Sequence, residues 1–293
     1  MWGTYLDLSA VPPMAFIVSG ILTISGINLT NRLAISSIKT RWGVIATNYV
    51  VALALSAAMF LLGGVYSVSP FTIGLGLVTG FLYIGGMYLG MATIGRRGAS
   101  IAVSASQLSV LLPVSLSVII FGDMLKMNQL VGVAVALVAL PLLAAKIGTG
   151  LRDGLDKETM LLLVAQLLVQ GFAQFSSKVL VASGFSGERG AFFVATFTSA
   201  VLVTLPIAWR HRKEIARRDL GFGSVVGACN IGGNLSILLA LTALAGAVVY
   251  PLVNSGGLLL VTVLAWIIFK EKINRLNAIG IALTLAAVLL INL

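Results

Sequence analysis

The sequence predicts an all-α membrane protein of ten transmembrane helices, arranged as two five-helix inverted repeats around a central cavity. Three observations predict it. Of 293 residues, 59% are apolar and only 10% charged, against about 45–50% and about 25% in soluble globular chains. The apolar residues fall into ten runs, each close to the ~20 residues needed to cross a bilayer core of ~30 Å. The chain also repeats itself at a period of about 147 residues. With so few charges a soluble fold could not cover its surface, and the mean hydropathy is +1.07. The alternating segments of about ten residues that mark a membrane β-barrel are absent. Cys229 is the only cysteine, which excludes an internal disulfide.

The first ten residues hold Asp7 and no Lys or Arg, so a cleavable signal peptide is not expected, and Trp2 and Tyr5 suit an interface. The expected spans are 11–34, 43–63, 70–94, 98–121, 126–146, 158–182, 189–209, 221–243, 246–269 and 274–292. Their connections are short, and only 147–157 and 210–220 carry dense charge. No room is left for a soluble domain.

The repeat is clearest where Gly98–Gly132 aligns with Gly246–Gly280 at a shift of 148: Gly98-Ala99 with Gly246-Ala247, Ile119-Ile120-Phe121 with Ile267-Ile268-Phe269, and Asp123 with Glu271. Ile84-Gly85-Gly86 matches Ile231-Gly232-Gly233 at a shift of 147, and Asn28 and Arg32 match Gln174 and Lys178 at 146. The repeats are therefore 1–147 and 148–293. Five helices per repeat is odd, so the second repeat must enter from the opposite side. Inverted repeats of this kind build secondary transporters, with substrate near the midplane between them.

Phe121-Gly-Asp-Met-Leu-Lys-Met-Asn-Gln-Leu-Val-Gly132 and Phe269-Lys-Glu-Lys-Ile-Asn-Arg-Leu-Asn-Ala-Ile-Gly280 resemble the hallmark of EamA-type units. There a penultimate helix ends in Phe/Leu-x-Glu/Asp, and a short turn and a helix starting near a Gly follow. Two such units describe the drug/metabolite transporter superfamily, and the resemblance covers essentially the whole chain. It implies ten helices around a cavity and alternating access. Its members move amino acids, nucleotide sugars, phosphorylated sugars, cationic drugs, choline and vitamins, so the resemblance is poor for substrate. Asp123 and Glu271, each between two helices, read as carboxylates capping a helix N-terminus or as gate ion pairs with Lys126 or Lys272.

The formal charge of +10 would point to nucleic acid in a soluble protein. Here sixteen of nineteen Lys and Arg lie in alternate gaps, with only Lys126 and Arg189 on the other side and Lys178 within a span. Nucleic acid is therefore not an expected partner; the lipid bilayer is. The positive-inside rule places both termini outside the cytoplasm, in a plasma or bacterial-type inner membrane.

Polar side chains in hydrocarbon are costly and usually face the bundle interior. In chain order the candidates for substrate contact are Tyr83 in span 3, Gln107 in span 4, Gln170 and Gln174 in span 6, Asn230 and Asn234 in span 8, and Tyr250 and Asn254 in span 9. Tyr88 is a further aromatic wall. In span 6, Gln166, Gln170, Gln174 and Lys178 recur every fourth residue and form one stripe. The competing reading is interhelical hydrogen bonding, worth about 0.6 kcal/mol per contact. Lys178 reads as a gate or anion anchor, or as a lysine reaching back to the interface, and Arg32 as its mirror. Glycine pairs such as Gly85-Gly86 and Gly232-Gly233 permit close packing or hinging, and Pro113 and Pro251 each free a carbonyl inside a helix.

None of the nine acids lies inside a span. This argues against a proton-coupled cation antiporter built on an intramembrane Glu, as in the small multidrug members of the superfamily. A neutral, zwitterionic or anionic metabolite fits better. The alternatives are a lipid flippase or scramblase and, less favoured, an exporter of a cationic compound. His211, the only histidine, sits between Arg210 and Arg212 and reads as a surface residue. No catalytic triad, metal cluster or phosphate loop is present, so neither an enzyme nor a cofactor is expected. The repeat pair contains the whole cavity, so a monomer would suffice and a dimer is allowed.

Overall fold

A computed structural model describes residues 11–35, 40–65, 67–97, 106, 108–144, 157–269 and 275–292. Among them lie ten α-helices: α1 (Pro13–Ile35), α2 (Trp42–Gly63), α3 (Pro70–Arg97), α4 (Leu111–Phe121), α5 (Met127–Ala144), α6 (Lys157–Ala182), α7 (Arg189–Arg210), α8 (Arg217–Leu241), α9 (Gly246–Phe269) and α10 (Arg275–Asn292). Seven of these, α1–α3 and α6–α9, are long and apolar enough to cross a membrane. The described parts of α4, α5 and α10 hold shorter apolar stretches, Leu111–Phe121, Met127–Ala139 and Ala278–Ala287.

Of span 4, residues 98–105 and 107 lie outside the described residues, and Ser106 and Leu108 are helical. The chain turns at Ser109-Val110, where the Leu112 N–H donates to the Ser109 carbonyl at 3.2 Å, and α4 begins only at Leu111. Pro113 is therefore in the first turn, where a missing N–H leaves nothing unmade. The carbonyl that Pro113 is expected to free is taken up, since Ser109 accepts the Leu112 N–H, whereas Pro251 does lie within α9.

Helix ends are set by glycines and acids. Gly122, at φ 63°, lets the N–H groups of Gly122 and Asp123 reach back to the carbonyls of Val118 and Ser117. Asp123 then accepts the N–H of Gly246 at 2.6 Å, capping α9, a helix far from it in sequence. The same device holds α3, since Glu188 accepts the Ser69 N–H at 3.0 Å just before that helix. Glu271 lies outside the described residues.

The helices group into two compact units, Met1–Ile84 with Ser176–Ala243, and Gly85–Phe175 with Leu244–Leu293. Each draws on both halves of the sequence. In the first unit α1 packs on α8, and α2 on α7 and α8. Its core joins Tyr49 and Ala52 of α2 to Phe192, Phe193 and Phe197 of α7 and Ile231 and Leu238 of α8. In the second unit α5 packs on α10, and α9 on α4, α5 and α10.

In lipid, apolar surface gives helices no reason to associate, so small residues and close contact must. Two small-x-x-x-small pairs do this in the first unit. A Cβ on Gly76 would lie 2.6 Å from the Phe192 carbonyl and 2.7 Å from the Ala195 Cβ. On Gly223 it would lie 2.7 Å from the Val44 carbonyl and 2.6 Å from the Thr47 Cβ. Gly80 against Thr196 and Ser199, and Gly227 against Asn48 and Val51, repeat the pattern one turn on. Each of these α2 and α8 residues is 147 or 148 positions from its counterpart among the α3 and α7 residues, the offset of the sequence repeat.

Candidate functional site

Each unit contains a network of uncharged polar side chains at mid-helix. In the first unit the Tyr83 hydroxyl donates to Asn234 Oδ1 at 2.6 Å. Asn234 Nδ2 donates to Asn230 Oδ1 at 2.8 Å, and Asn230 Nδ2 to Asn48 Oδ1 at 3.1 Å. The i, i+4 spacing of Asn230 and Asn234 puts them on one face of α8, as the sequence implied. The Tyr83 and Tyr49 rings both lie against Phe197, which fixes the phenol end of the chain.

In the second unit the network is built on α6. Gln166, fully buried, accepts the Thr93 hydroxyl at 2.7 Å and donates to Ser106 Oγ at 2.8 Å. Gln174 Nε2 donates to Ser109 Oγ at 3.0 Å, and Gln174 Oε1 accepts from Asn254 Nδ2 at 3.4 Å. The Tyr250 hydroxyl donates to the Gln174 carbonyl at 3.0 Å. Gln170 Nε2 donates to the Gly86 carbonyl at 3.3 Å.

Two amide orientations follow from these partners. A carbonyl only accepts, so Gln170 must turn its nitrogen to Gly86, and Asn254 its nitrogen to the Tyr250 carbonyl at 2.8 Å. Gln170 Oε1 and Asn254 Oδ1 then have no hydrogen-bond partner among the described residues. Both side chains are half-buried. Gln170 and Asn254 thus offer open acceptors, whereas Gln166 has its oxygen and nitrogen engaged inside the protein.

Of the residues singled out from sequence, Tyr83, Asn230 and Asn234 are brought together in the first unit, and Gln170, Gln174, Tyr250 and Asn254 in the second. Tyr250 is fully buried, and Tyr88 is 65% exposed. Lys178 belongs to the first unit and is 7% exposed, so it does not extend to solvent. Gln107 and the Arg32 side chain lie outside the described residues. Asn48, Thr93, Ser106 and Ser109 complete the networks and were not singled out. Asn48 stands near the start of its span, where a polar residue reads as interfacial. The serines and threonine carry no signal until their partners are known.

The comparisons with known proteins agree with this architecture. Residues 158–293 match the EamA-like transporter family. An uncharacterised protein of Haemophilus influenzae is 26% identical over 222 residues, 75% of this chain and 74% of its own length. A protein of known crystal structure superposes with a TM-score of 0.76 at 15% identity over 95% of each chain, a likeness of fold. The chain is an integral, multi-pass membrane protein whose C-terminal stretch, residues 158–293, is similar to the EamA-like transporter family.

Proposed function

We propose that the protein is a secondary transporter that carries a small metabolite, neutral, zwitterionic or anionic, across the cytoplasmic membrane by alternating access between inverted repeats. The observation that carries this reading is the pair of uncharged mid-helix networks, with open acceptors at Gln170 and Asn254. Amide oxygens and phenols recognise a substrate by its N–H or O–H groups and require no charge on it. Such groups in a membrane bundle face the interior or a wet cavity.

The repeat boundaries at 147 and 148 and their opposed orientation are supported by the α3–α7 and α2–α8 contacts, which pair equivalent residues. The pairings α2–α7, α4–α9 and α5–α10 each join a helix to its counterpart, as an internal two-fold relation between repeats requires. Alternating access then follows from one set of helices rocking against the other. The charge bias supports termini outside the cytoplasm.

A thermal-shift screen of the detergent-purified protein tests this. The panel holds amino acids, nucleosides, nucleotide sugars, sugar phosphates, choline-like amines and vitamins. A ligand at about 100 times its Kd adds about 2.7 kcal/mol of stability. A hit lost in both Gln170→Ala and Asn254→Ala supports the site. A hit indifferent to both overturns the site, and a panel without hits, followed by stabilisation by lipid alone, overturns the metabolite reading.

A further inference from the structure

We propose that the first unit holds a seat for one anionic phospholipid, with an acyl chain in a groove between α2 and α7 and the phosphate at Arg212. This rests on features that the transport reading does not use. The groove has a volume of about 200 Å³ and is lined by Ala46, Thr47 and Val50 of α2, Leu205 and Trp209 of α7, and Leu220 of α8. Arg212 is the charged residue in its lining. The groove is smaller than the ~300–1,000 Å³ that encloses a drug-sized ligand. It suits part of a chain running along the helices, past the exposed Val50 and Leu205.

Its depth is that of lipid headgroups. The spans Trp42–Gly63, Ser186–Arg210 and Arg217–Leu241 all have an end here. Trp209 is 65% exposed, with the Arg212 guanidinium 4.9 Å above its ring. An indole at the end of a span, beside a cation, marks the interface.

The charge around the mouth is one-sided. Arg210, Arg212, Lys213, Arg217 and Arg218 are exposed. Of the two acids of the same segment, Asp219 is buried and Glu214 alone is exposed. Glu214 lies 3.6 Å from His211 Nδ1. Asp219 is fully buried, accepts the Ala216 N–H at 2.9 Å and sits 4.0 Å from Arg218 Nε. The cations that remain complement a phosphate, and the apolar floor complements the chain attached to it. A soluble anion would have no use for that floor, and a zwitterionic lipid no use for so many cations.

Native mass spectrometry of the detergent-purified protein, with phosphatidylglycerol or phosphatidylcholine added, reads the seat directly. One phosphatidylglycerol should stay bound under conditions that strip phosphatidylcholine, and its retention should fall with added salt. Arg212→Gln should weaken it by about fivefold, the share of one interfacial cation. Val50→Phe, which fills the groove from an exposed position, should weaken it as much, with Arg212→Lys nearly unchanged. Equal retention of both lipids, or full retention in both Arg212→Gln and Val50→Phe, would overturn the proposal. So would protection by inorganic phosphate alone. The comparison of lipids uses the unaltered protein, so a variant that fails to fold leaves the test decisive.

Discussion

Gly86 lies directly beneath Gln170: a Cβ on the glycine would stand 2.8 Å from Gln170 Cγ, and the glycine carbonyl accepts the Gln170 amide at 3.3 Å. One residue thus supplies both the space and the anchor for a side chain of the candidate site. The equivalent pair in the first unit is Gly233 and Thr23, where a Cβ would meet Thr23 Oγ1 at 2.9 Å. Both members are 147 positions from their counterparts.

Gly86→Ala is therefore expected to displace Gln170 before it unfolds the protein. Overpacking of this kind costs about 1–3 kcal/mol. Ligand affinity should fall in parallel with Gln170→Ala, and a double-mutant cycle on ligand binding should show the two effects to be non-additive. Additive losses would mean that Gly86 acts only through packing.

Gln166 and Gln174 belong to the same stripe yet should behave differently. Gln166 is fully buried with its oxygen and nitrogen engaged, so Gln166→Ala removes two buried side-chain hydrogen bonds and should cost about 1–3 kcal/mol of stability. It should leave ligand Kd unchanged. Gln174→Ala should raise Kd by releasing Asn254. Thermal melts with and without ligand separate the two.

Asp123→Ala should remove the cap on α9 and cost about 0.5–2 kcal/mol. Asp123→Asn, which keeps an acceptor oxygen for the Gly246 N–H, should recover much of it. Were Asp123 instead an essential gate ion, Asp123→Asn would abolish transport while leaving the melting temperature near that of the parent.

Lys178→Gln distinguishes the readings of the buried lysine. An anchor for a substrate carboxylate or phosphate predicts loss of anionic but not neutral substrate in proteoliposome uptake. Unchanged uptake of both would leave Lys178 a structural residue.

Much of this was legible because membrane burial makes polarity informative. In a chain that is 59% apolar, Tyr83, Asn230, Asn234, Gln170, Gln174 and Asn254 stand out at mid-span, and the structure gathers them into two networks. The sequence could not divide them between two units, because that division depends on which helices pack together. Nor did it single out Ser109, whose hydroxyl is available to Gln174 at a turn that precedes α4. The Gly76–Gly80 and Gly223–Gly227 spacings were readable in principle, as small residues four apart at the repeat offset. Asp123 was read correctly as a helix cap, but its helix is 123 residues away in sequence, a partner that local spacing does not give.

That reach has a consequence for biogenesis. Asp123 waits for Gly246, and Ser69 for Glu188, while each compact unit is assembled from two stretches of chain far apart in translation order. The first unit has its last helix only once α8 has been made, and the second only at α10. Half-finished bundles must persist in the bilayer with uncapped helix ends and open glycine faces until their distant partners arrive. A chain cut within 145–156 and expressed as two pieces should therefore accumulate only when both pieces are made in the same cell, with either alone cleared by membrane quality control.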